Sequence, residues 1–158
     1  MPDLDQGGRA QQVIRTWAGP SLGWVYTDKP TEIIYVMDGG GQVLTSGNHG
    51  PLIIPDWCII YQWILISDVI GSAVVDIWKV PYTSYPPTVA NTITGSSPPT
   101  LTNQLNANST YPTATPLPGW TTLINQGDAL VFNINSVSGC KRLSLFLNCA
   151  RIVGDPAL

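Results

Sequence analysis

From Glu32 onward the chain is built of short apolar runs broken by glycine- and proline-containing turns. Ile33-Ile34-Tyr35-Val36-Met37 reads as a strand closed by Asp38-Gly39-Gly40-Gly41, where glycines supply positive φ without steric cost. Gln42 to Ser46 reads as a short strand and Gly47-Asn48-His49-Gly50 as the next turn. The longest apolar segment is Trp57 to Ser67. In strand alternation it sets Cys58, Ile60, Gln62, Ile64 and Ile66 on one face and Ile59, Tyr61, Trp63 and Leu65 on the other. Both faces are largely apolar, so this strand is expected to be covered on both sides. One cover is the core, and the other has to come from elsewhere.

Gly71 to Val80 alternates more cleanly, with Ala73, Val75 and Ile77 on one face and Ser72, Asp76 and Trp78 facing outward. Residues 81–118 are rich in Pro, Thr, Ser and Asn, and short edge strands are expected within them near Thr92 to Thr94 and Thr100 to Gln104. Gly119 to Leu123 then leads through Asn125-Gln126-Gly127-Asp128 to a strand over Ala129 to Val137 that turns Leu130, Phe132 and Ile134 inward. Lys141 to Ile152 closes the chain with an inward stripe of Leu143, Leu145, Leu147 and Cys149. The sum is an all-β chain, a β-sandwich or jelly roll of about eight antiparallel strands spanning residues 32–158. Residues 1–31 lack this rhythm yet contain Trp17, Trp24 and Tyr26. They are expected to form an extended N-terminal arm, ordered by lying on the sandwich or on a neighbouring subunit.

Composition sharpens this picture. Only 11% of residues are charged while 44% are hydrophobic, against about a quarter charged in a typical soluble domain. Such a surface is poorly defended against association and is expected to be covered. The seven Lys and Arg are scattered, with Lys141-Arg142 the adjacent pair, so the concentrated positive field needed for nucleic acid is missing. The N-terminus has neither a basic start nor an apolar stretch, and no run approaches about 18 apolar residues. Neither a secretory signal nor a membrane partner is expected. Cys58, Cys140 and Cys149 are odd in number and lack metal-ligand spacing, which reads as small apolar residues rather than disulfides or a metal site.

Candidate chemistry is thin. The single histidine, His49, sits in an expected turn and offers no base for a Ser or Cys nucleophile. Asp28, Asp38, Asp68 and Asp128 adjoin expected turns, where a short carboxylate caps its own backbone, rather than forming the spaced pair that glycoside hydrolysis needs. No catalytic residue, cofactor or metal is therefore expected. Trp57, Trp63, Trp78 and Trp120 with Tyr61, Tyr82 and Tyr85 would suit a sugar-stacking platform, but aromatics at alternate strand positions more often serve a core or a subunit interface. Trp17, Trp24, Tyr26, Tyr61, Trp63, Trp78, Tyr82 and Tyr85 are accordingly the candidate interface residues.

Several motifs occur in one order: Met37-Asp38-Gly39-Gly40-Gly41, Pro51-Leu52-Ile53-Ile54-Pro55, Gly71 to Lys79, Tyr85-Pro86-Pro87-Thr88-Val89-Ala90-Asn91-Thr92-Ile93-Thr94, Leu117-Pro118-Gly119-Trp120, and Gly127 to Ser136. Over residues 32–153 this series resembles a β-sandwich module of tailed-bacteriophage virion proteins. The resemblance implies a homotrimer-forming sandwich, used at tail-fibre and tailspike tips and, as a short free-standing chain, as a capsid cement or decoration protein. The expected partners are then further copies of the chain and the major capsid protein. The expected location is the capsid surface of a virion assembled in the host cytoplasm. The alternative it implies is a fibre tip that recognises a host-surface glycan.

Overall fold

The computed structural model describes residues 14–17, 24–109 and 117–152, with side chains from Thr31 onward. The described residues form eight strands: β1 (Ile14–Trp17), β2 (Trp24–Asp38), β3 (Gly47–Ile53), β4 (Cys58–Pro81), β5 (Thr100–Asn108), β6 (Leu123–Ile124), β7 (Asp128–Ser138) and β8 (Arg142–Ile152). All pair antiparallel in the order β1-β2-β8-β4-β7-β3, with β5 and β6 also on β4, and the sheet curls into a half-barrel. The described residues contain no α-helix, only two single 3-10 turns at Tyr82–Ser84 and Val89–Asn91. The β-branched and aromatic character of the apolar runs accounts for this, since such side chains pack on a pleated surface more readily than on a helix.

The central element is β4. The expectation of separate strands over 57–67 and 71–80 is replaced by one continuous strand of 24 residues. Its first part, from Cys58 to Ser67, pairs with β8, and its second part, from Ser72 to Pro81, pairs with β7. The chain bends between them at Asp68 to Gly71. Gly71 permits the passage: a Cβ there would lie 2.6 Å from both Cys140 Sγ and the Ser138 carbonyl oxygen. A strand that changes partners along its length folds the sheet over on itself and gives both parts a common interior.

That interior holds Ile33 and Met37 from β2, Leu143, Leu145, Leu147 and Cys149 from β8, Val75 and Ile77 from β4, and Leu130, Phe132 and Ile134 from β7. The inward stripes expected on β7 and β8 are therefore present residue for residue. Tyr35 stacks on Phe132 with ring centroids 4.4 Å apart, although β2 and β7 share no hydrogen bonds, so the two ends of the curled sheet meet through side chains. All three cysteines are buried free thiols, as small apolar residues should be.

Three local expectations fail. Residues 43–45 form no strand, although Leu44 is buried and its N–H donates to the Cys140 carbonyl at 2.9 Å. Gly47 to Gly50 is not a turn but the start of β3, which pairs with β7. The glycine and proline that suggested a turn instead form an irregularity between His49 and Leu52, tolerable because β3 is an edge strand. The expected strand near 92–94 is reduced to a bridge, Thr92 opposite Trp78, with Ile93 N–H donating to Ile77 O at 2.8 Å.

Candidate functional site

Strand alternation and register define what the half-barrel shows on its outside. On β2 the outward residues are Glu32, Ile34, Val36 and Asp38, on β8 they are Asn148, Phe146, Ser144 and Arg142, and on β4 Gln62, Ile64 and Ile66. The register lines these up into rows across the three strands. Ile34, Phe146 and Ile64 make one row and Val36, Ser144 and Ile66 the next. Ile34 is 48% exposed, Val36 49% and Ile66 41%, while Phe146 and Ile64 are half-buried among them. An isolated exposed apolar residue is ordinary, but adjacent rows of them on a sheet face are not.

Polar groups frame this field on three sides. At one end lie Glu32, Asn148 and Gln62, with Asn148 Nδ2 donating to Gln62 Oε1 at 2.8 Å. At the other end Arg142 Nε donates to Asp38 Oδ2 at 3.0 Å. There Asp68 Oδ1 accepts the backbone N–H groups of Arg142 at 2.9 Å and Lys141 at 3.1 Å. The Gly40 N–H and then the Arg142 guanidinium hold the Asp38 carboxyl below its ordinary value. The N–H groups of Arg142 and Lys141 do the same for Asp68. Asn106 and Asn108 of β5 bound the third side, opposite Ile66 and Ile64. The fourth side is the edge of β2, where residues 28–38 meet no partner strand among the described residues. The other edges are broken, β3 by its irregularity at Pro51 and β5 by two register shifts and Asn103 at φ 50°. The register of β2 with β8 shifts between Thr27 and Pro30, where Lys29 and Pro30 lie, and is uninterrupted only from Pro30 to Asp38.

The outer face of the second half of β4 is organised in another way. Asp76 and Trp78 point outward from the sheet, as alternation requires, yet they are only 5% and 9% exposed. The segment 82–99 returns against β4 and brings two hydroxyls to Asp76. Thr92 Oγ1 and Thr94 Oγ1 each donate to Asp76 Oδ1 at 2.6 Å, Ile77 N–H donates to the same oxygen at 2.7 Å, and Trp78 Nε1 donates to Oδ2 at 2.8 Å. Trp78, a candidate interface residue, is thus buried with Asp76 under the chain's own loop. Nearby, Lys79 Nζ lies 3.3 Å from Asp128 Oδ2 and donates to the Leu123 carbonyl at 3.0 Å, tying the 123–128 connection to β4.

The candidate interface residues thus separate. Trp78 is consumed by the subunit's interior. Trp63 is half-buried and packs on the main core cluster, and Tyr61 lies where the β4 register shifts between Ile60 and Gln62. Tyr82 and Tyr85 are exposed on the return segment. The backbones of Trp17, Trp24 and Tyr26 pair in β1 and β2, while their side chains lie outside the described residues. The register shift also moves the apolar surplus of β4. Cys58 and Ile60 face inward before it and Leu65 after it, so Ile64 and Ile66 are the outward residues. The sugar platform loses its indoles: Trp57 and Trp120 are half-buried against apolar clusters, and Trp120 Nε1 donates to the Ser97 carbonyl at 2.9 Å.

Several groups suited to bond-making chemistry have structural partners. His49 lies in β3 opposite Phe132. The hydrogen bond with Cys58, and then burial, push the Cys149 thiol up, and its Sγ donates to the Leu147 carbonyl at 3.2 Å. Asp38 and Asp128 accept from Gly40 N–H and Asn125 N–H, as turn carboxylates do. Among the described residues no three His, Cys, Asp or Glu side chains gather to hold a metal ion. No protein-family model, curated protein or solved structure matches the chain.

Proposed function

We propose that this chain is a capsid cement or decoration protein of a tailed bacteriophage, a β-sandwich subunit of the jelly-roll class that assembles with copies of itself, as a homotrimer, on the outer shell and grips the major capsid protein. The observation that carries this reading is the apolar field of Ile34, Val36, Phe146, Ile64 and Ile66 on the outside of the sheet. The low charge of the whole chain and the order of motifs shared with virion sandwiches support it further. The mechanism is mass action: a subunit that binds the assembled shell but not its separated components stabilises the shell by its binding free energy at every site it fills. Each aliphatic or aromatic side chain fully buried at such a junction contributes about 1.5–3 kcal/mol before ordering costs.

The test is stoichiometry. Purified particles are expected to carry this chain in amounts comparable to the major capsid protein, and particles stripped of it should lose their contents at a lower temperature and recover on re-addition. A trace band, with capsid stability unchanged by its removal, would sink the cement reading. The second reading, a glycan-recognising fibre tip, is favoured by the exposure of Tyr82 and Tyr85 on the return segment. Trace stoichiometry together with host-glycan binding lost in Tyr85→Ala would establish it instead.

A further inference from the structure

We draw no further inference here: the strongest candidate, the exposed apolar field of Ile34, Val36 and Ile66 on the outer face of β2, β8 and β4, belongs to the surface already described, and nothing in the structure shows what covers it.

Discussion

The two outer faces of the half-barrel start from the same difficulty and resolve it differently. Both belong partly to β4, and both project large side chains away from the interior. On the second half of β4, the return segment 82–99 closes over the sheet and its Thr92 and Thr94 join Ile77 N–H and Trp78 Nε1 of β4 as the four donors to Asp76. On the first half, with β8 and β2, nothing in the described chain returns, and Ile34, Val36 and Ile66 stay exposed. The first face is finished within one subunit. The second is left open among the described residues. Outward apolar residues on a sheet therefore carry different meanings, depending on whether the polar groups beside them are already paired.

The sharpest way to break the comparison is to open the finished face. Asp76→Ala strands the hydroxyls of Thr92 and Thr94, the Trp78 indole N–H and the Ile77 amide in a buried site, and is expected to cost about 3–5 kcal/mol. Chemical denaturation at unchanged m-value would measure it. The return segment should also become protease-sensitive before the rest of the chain unfolds. A loss below about 1 kcal/mol would mean that the loop is held by something other than this carboxylate.

A smaller effect is expected at the bend that joins the faces. In Gly71→Ala the new methyl meets the Cys140 Sγ and the Ser138 carbonyl oxygen at 2.6 Å, and the carbonyl is backbone that cannot rotate away. The expected loss is about 1–3 kcal/mol, read from the thermal midpoint. Smaller again is the response of the unfinished face. Val36→Thr removes apolar surface that the isolated subunit leaves in water, so at concentrations low enough to keep the chain monomeric its stability should shift by no more than about 0.5 kcal/mol. If instead Val36→Thr destabilised the monomer as strongly as a core substitution, the face would already be covered within the subunit and the contrast would vanish.

What could be read from the chain in advance follows the same division. The inward stripes Leu130-Phe132-Ile134 and Leu143-Leu145-Leu147 were legible because alternation is local and the β4–β7 and β2–β8 registers are unbroken across those residues. The two-sided apolar character of residues 57–67 was legible too, but not which residues face outward. The register shift between Ile60 and Gln62 reverses the alternation, and no sequence signal marks it. Asp76 was correctly assigned to the outward side of its strand, but its cover was not legible, because it arrives from residues 92 and 94 along a segment with little periodicity. The Ile34 and Val36 surface lay in plain view as an unbroken apolar run, Ile33 to Met37. It was passed over because one buried face sufficed to explain a strand.

The smallest expected effect concerns acid. Asp68 accepts the Arg142 and Lys141 amides that begin β8, and its folded-state carboxyl is thereby held below its ordinary value. Such a group adds stability that is fully present above the unfolded-state value near pH 4 and is lost as pH falls through the lower folded-state value. Asp38, held down by Gly40 N–H and Arg142, acts in the same direction at the same end of the field. Stability should thus be flat from neutrality to about pH 4.5 and decline below it, and Asp68→Asn should flatten part of that decline while leaving neutral-pH oligomerisation intact. If the Asn variant declined as steeply as wild type, the carboxylates responsible would lie elsewhere. The charged end of the unfinished face would then be exposed, screened by salt, and of little weight in whether the subunit folds.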